Sequence, residues 1–169
     1  MKILVATAST YGSTREIGEH IAAVLREDGH EVSTQDVDAV SSLDFDAAIV
    51  GAAIYIGRPL HSARKFTAKL EREFGSKPVW VFASGMKNIT RDPLHQPYTL
   101  PASRPYLGSR YPIFKGKVDP KQLSAAERTL AALTAASVQD ERDFGLIKRW
   151  AGHVAKQLRE LSANPTQPS

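Results

Sequence analysis

The chain contains no cysteine. It therefore has no disulfide, no thiolate nucleophile and no Cys-ligated zinc or iron–sulfur centre, and any redox chemistry has to come from a bound group. Long apolar runs are missing too. The stretch Met1 to Thr7 lacks the core of a signal peptide, and no window approaches the roughly twenty apolar residues that cross a bilayer. These two absences predict a cytoplasmic protein. The five histidines, His20, His30, His61, His95 and His153, form no H-x-x-x-H pair, so no metal is expected. Neither GxxxxGK[ST] nor GxGxxG occurs, which argues against an ordinary nucleotide triphosphatase or dinucleotide site.

What is present fits one soluble domain. The 169 residues are 42% hydrophobic and 24% charged, enough to bury a real core. They show no internal repeat and no linker, so a single domain over 1–161 with a flexible polar tail at 162–169 is expected. The formal net charge is +4, unevenly distributed. Residues 1–46 hold three basic and nine acidic side chains, a net of −6, while residues 47–169 hold nineteen and nine, a net of +10. Lys87, Arg91, Arg104, Arg110, Lys115, Lys117 and Lys121 are opposed in their segment only by Asp92 and Asp119. A basic face of this kind suits nucleic acid, an anionic membrane surface or an anionic ligand, or is simply solvated.

Strand and helix patterns alternate. Ile3 to Ala6 is an unalternating apolar run, as expected of a strand buried on both faces. Ile17, Ile21, Ala22, Val24 and Leu25 recur at helical spacing before Gly29. A second strand is predicted over Glu31–Val37, a third over Ala47–Ile54, a helix from Leu60 to Phe74, a fourth strand over Pro78–Ala83 and a last one over Ile113–Val118. Helices are predicted over Pro120–Ala136 and Phe144–Leu161. Trp80 and Trp150 fall at core positions of their elements. Strands alternating with helices imply right-handed crossovers and a parallel sheet covered on both sides, an α/β class. Between about Gly85 and Pro112 the rhythm breaks, with Pro93, Pro97, Pro101 and Pro105 four residues apart. A loop of that length is usually functional or disordered, and Tyr98 and Tyr106 favour function.

The strongest local signal for chemistry is the turn after the first strand, Ser9-Thr10-Tyr11-Gly12-Ser13-Thr14. A phosphate needs several donors converging on it, and helix N-terminal amides with Ser and Thr hydroxyls supply them. Gly12 permits close backbone approach and a positive φ. The alternative is that Ser13 or Thr14 merely caps the helix, with Glu16 favoured in its first turn. A cap accounts for one hydroxyl, not for four in six residues.

This turn resembles the FMN-phosphate loop of flavodoxins, although Thr7 stands where an aromatic is common. Two further loops are similar in place. Gly51-Ala52-Ala53-Ile54-Tyr55-Ile56-Gly57-Arg58 resembles the loop that holds the flavin ring, with Ala52 to Gly57 as its cofactor-binding residues and Tyr55 where a stacking Trp is frequent. Ser84-Gly85-Met86-Lys87-Asn88 resembles the loop that edges the pyrimidine side of the ring. The resemblance implies a flavodoxin-like, doubly wound, five-stranded parallel sheet of order 2-1-3-4-5 with helices on both faces, and FMN at the carboxyl ends of its strands; flavodoxin is the worked example of that rule. A narrower resemblance runs through Val50 to Gly57, His61-Ser62-Ala63, Phe114 to Asp119 and Asp143 to Trp150. These segments are similar to the menaquinone-dependent protoporphyrinogen IX dehydrogenases of bacteria and their flavodoxin-domain relatives.

The resemblance implies an FMN-dependent oxidoreductase of the protoporphyrinogen/quinone type, with a redox partner or small anionic organic substrate, no nucleic acid, and at most peripheral contact with the inner membrane face. The alternative is an electron-transfer or flavin-storage protein without its own substrate, or, further off, a domain that has lost flavin. No catalytic residue is assignable. His61 is weighed as a proton donor against a plain first-turn polar residue. Arg58, Lys87 and Arg91 near the matching loops would favour a reduced, anionic ring. At about 1 kcal/mol per screened charge, two or three of them raise a one-electron potential by on the order of 100 mV. Whether a deazaflavin replaces FMN, and the oligomeric state, stay open at this level.

Overall fold

A computed structural model describes residues 1–55, 58–85, 111–117, 140 and 142–163. The Pro-spaced segment and the helix expected over Pro120–Ala136 lie outside the described residues. The chain begins with β1 (Lys2–Ala8), α1 (Ser13–Glu27) and β2 (Glu31–Asp36), followed by β3 (Ala47–Tyr55), the two-residue β4 (Arg58–Pro59) and α2 (His61–Glu73). It continues with β5 (Val79–Gly85), β6 (Ile113–Lys115) and α3 (Phe144–Ala163).

The main sheet has the order β2-β1-β3-β5-β6, with every adjacent pair parallel. β4 pairs antiparallel with the end of β3 and lies off this path. Without β4 the order is 2-1-3-4-5, as expected.

The unbroken apolar run of β1 is explained by its two neighbours. Ile3 and Val5 join Ala47, Ile49, Trp80, Phe82 and Phe114 in a core shared with α1 and α3. Leu4, Ala6 and Ala8 face the other way, with Ala48, Val50 and Val79 against Phe66 and Leu70 of α2. Helix α1 buries Ile17, Ile21 and Leu25, four residues apart, and leaves its charged residues outside, as an amphipathic helix on a sheet must. Trp80 and Trp150 are both core residues. The Trp80 indole donates to Gln157 Oε1 at 2.8 Å, so its one polar group is satisfied on burial.

Several boundaries differ from the sequence expectation, each for a local reason. Strand β2 stops at Asp36, because the Asp36 carboxylate accepts from Asp38 N at 3.0 Å and starts a 3-10 turn at Val37. β5 begins at Val79, one residue after Pro78, whose carbonyl still accepts from Ala48 N at 3.0 Å. β6 ends at Lys115, where Lys117 N turns from the sheet to Ser13 Oγ. At the other end, α3 continues two residues past Leu161, and the Ser162 hydroxyl donates to the Leu158 carbonyl at 2.9 Å.

One close approach lies between β3 and β5. A Cβ placed on Gly51 would lie 2.3 Å from Phe82 Cζ and 2.7 Å from its Cε1. Phe82 is fully buried, with ring centroids of Phe114 and Trp150 at 6.0 and 6.1 Å, so it has nowhere to move. Gly51→Ala should therefore destabilise the fold by roughly 2–3 kcal/mol through overpacking. The check is the urea midpoint, and Phe82→Leu in the same chain should recover a good part of the loss.

Candidate functional site

The site forms where the topology reverses. From β1 the chain goes to β2 on one side, and β3 lies on the other, so a crevice opens at the carboxyl ends of β1 and β3. Ser9 to Gly12 connect the end of β1 to the start of α1 there. Gly12 has φ +81° and caps α1 with no side-chain hydrogen bond. The first helical bond runs from Glu16 N to Gly12 O at 3.0 Å. The amides before Glu16 thus stand outside the helix's own ladder, and with the helix dipole they form a positive end aimed at the crevice. A Cβ on Gly12 would meet nothing within 4 Å, so the turn is not crowded by described residues at that position.

Neither Ser13 nor Thr14 caps the helix. Ser13 Oγ accepts from Lys117 N at 2.9 Å. Thr14 Oγ1 and Ser84 Oγ share a hydrogen bond of 2.7 Å, buried. These two bonds tie the start of α1 to the ends of β5 and β6. Gly116 lies beside these bonds: its N–H donates to Gly85 O at 2.9 Å.

The sequence-expected residues are brought together in part. Ala8 pairs with Ala52 and Ala53 with Ser84, so Ser9–Thr14, Ala52–Ile54 and Ser84–Gly85 meet at one edge of the sheet. Ala52 to Tyr55 end β3 and Ser84 and Gly85 end β5, whereas the sequence reading assigned Ser84 and Gly85 to a loop. Pairing of Ser84 with Phe114 and Gly85 with Lys115 extends the strand. The Tyr55 side chain, Ile56, Gly57, Met86, Lys87 and Asn88 lie outside the described residues. His61 is the exposed first residue of α2. Among the described residues no three His, Asp or Glu side chains form a group able to hold a metal, and no helix is long and apolar enough to cross a membrane.

Two contributors escaped the sequence reading. Lys117 N has a partner 104 residues away, and Arg142 has one 126 residues away. The Arg142 guanidinium grips Asp140, with Nε to Oδ1 at 2.7 Å and the terminal nitrogen to Oδ2 at 2.5 Å, and also bonds the Glu16 carboxylate. The basic residues just after β6 were visible in the sequence, but no local pattern marks Arg142.

The Arg142 hydrogen bonds hold the Asp140 carboxyl down to about 2, with the Lys117 charge adding a smaller lowering. The pair's contribution to stability is complete above about pH 4 and is lost as pH falls from 4 towards 2. Asp140 is 41% exposed, so solvent screening limits the effect to on the order of 1 kcal/mol. Acid unfolding monitored by circular dichroism should show this slope, and Arg142→Met should flatten it. For the buried hydroxyl pair, Thr14→Val should cost about 1–2 kcal/mol by stranding Ser84. Adding Ser84→Ala should cost less than the sum of the single changes in a chemical-denaturation cycle.

Comparison with known proteins identifies the domain and its fold. A model of the flavodoxin domain matches residues 4–144. Flavodoxin 2 from Bacillus cereus is 22% identical over 93% of this chain and 99% of its own, with a TM-score of 0.54. Rubredoxin oxygen:oxidoreductase from Desulfovibrio gigas is 15% identical over 94% of this chain and 36% of its own, with a TM-score of 0.58. A flavodoxin from the domain Archaea is 24% identical over 51% of this chain, with a TM-score of 0.47, and the match spans 64% of that protein, under two thirds of its length. No curated protein matches. At these identities the structures speak to the fold alone, while the domain match spans most of the chain: it belongs to the flavodoxin-domain family.

Proposed function

We propose that this chain is an FMN-binding redox protein, and more finely an oxidoreductase that takes electrons from a reduced, anionic organic substrate of the protoporphyrinogen IX kind and passes them to a quinone. The observation that carries the flavin reading is the N-terminus of α1. It is capped by Gly12 rather than by a side chain, its first amides are outside the helix's own ladder, and it stands at the switch point of a flavodoxin-domain sheet. When bound, FMN supplies reversible electron chemistry that no side chain of a cysteine-free protein offers.

In this reading the backbone amides of the α1 N-terminus and the hydroxyls of Ser9, Thr10 and Ser13 bind the phosphate. Ser13 accepts from Lys117 N and keeps its own proton for that ligand. Thr14 and Ser84 hold each other and so fix the floor of the crevice. The strand ends Ala52–Ile54 and Ser84–Gly85 edge the ring, and the family resemblance assigns Tyr55, Ile56, Gly57, Met86, Lys87 and Asn88 to the same role. A quinone acceptor calls for peripheral contact at the inner membrane face, which the +10 charge of residues 47–169 favours.

The carrier reading has one observation on its side. Among the described strand-end residues assigned to the ring, Ala52–Ile54 and Ser84–Gly85, none is a carboxylate or an imidazole, so none of these is an acid or base for an organic substrate. Both readings are tested together. The purified chain should bind FMN with quenching of flavin fluorescence, and Gly12→Val should weaken it tenfold or more, about 1.4 kcal/mol. A steady-state assay with reduced porphyrinogen and a menaquinone analogue should then show turnover. An FMN-loaded protein without turnover would favour the carrier.

A further inference from the structure

Glu16 occupies the first turn of α1. A carboxylate there is drawn to the positive helix end, but so is a phosphate, and the two repel each other. Glu16 does not stand alone. The Arg142 guanidinium, only 4% exposed, bonds it from the start of α3, grips both oxygens of Asp140 and sits 5.0 Å from the centroid of the Phe144 ring. Burying a guanidinium to this extent is costly unless its partners are fixed, and here they are two carboxylates on separate parts of the chain.

We propose that Arg142 is a positioning residue for the phosphate end of the site: its bond to Glu16 holds that carboxylate and offsets part of its charge, so that the α1 N-terminus admits a dianion, and thereby strengthens the preference for a phosphorylated over an unphosphorylated flavin. The inference rests on the FMN reading. Asp140 completes the device by orienting the guanidinium while leaving one face of it to Glu16. Glu16 is 54% exposed, which makes the effect graded and sensitive to salt rather than absolute.

The experiment is a titration of flavin-free full-length protein with FMN and with riboflavin at low ionic strength, followed by flavin fluorescence. Arg142→Met should weaken FMN about tenfold and riboflavin less than about twofold. The double variant Glu16→Gln/Arg142→Met, which removes the carboxylate in the first turn of α1 and leaves only the partly exposed Asp140 without its partner, should return FMN affinity to within about threefold of the starting protein. Arg142→Lys retains the charge without the fork and should keep most of the FMN preference. This variant decides the matter if the methionine variant does not fold. Equal loss of both flavins, or FMN affinity still lost in the double variant, would overturn the proposal and leave Arg142 a purely structural clamp. A starting protein with no preference for FMN would instead overturn the phosphate reading beneath it.

Discussion

Two-sided burial of β1, β3 and β5 forces each connection between them to carry a covering helix, and that requirement decides where α1 can begin. Once Ile3 and Val5 face α1 while Leu4 and Ala6 face the α2 layer, the chain leaving Ala8 must rise over the edge of the sheet and descend as α1. The turn that accomplishes this is short, and Gly12 takes the left-handed conformation at its end. An exposed helix terminus at the sheet's reversal point is thus a by-product of covering the sheet.

The fold secures that terminus from three sides. Thr14 is bound to Ser84 at the end of β5, Ser13 to the chain leaving β6, and Glu16 to Arg142 at the entry to α3. Each contact uses a polar group at the margin of the core, where water is partly excluded and a hydrogen bond is costly to leave unmade. The same residues that resemble ligand-binding hydroxyls are therefore also joints. A phosphate in this reading would be met chiefly by backbone amides, with the side chains holding those amides still.

Much of this architecture was legible in the residues. The apolar run of β1, the four-residue spacing in α1 and the glycine in the first turn are local patterns, and the structure places them as expected. What stayed hidden depends on distance along the chain. Thr14 and Ser84 are 70 residues apart, and nothing about either predicts the other. Ser84 and Gly85 read as loop because a strand extended by its neighbour carries no signature of its own; only the partnership with Phe114 and Lys115 reveals it. Val37 left the second strand for a similar reason, since the preceding aspartate offered its backbone a turn instead.

The placement of the two tryptophans has an optical consequence. Trp80 and Trp150 both lie in the layer between the sheet and the α1–α3 side, one hydrogen-bonded to Gln157 and the other set edge-on to Phe82 and Phe114. The opposite layer, built on Phe66, Leu70 and Phe74, holds no indole among its described residues. Intrinsic emission therefore views the molecule from one side. It registers the loosening of α3 from the sheet and is nearly blind to events beneath α2.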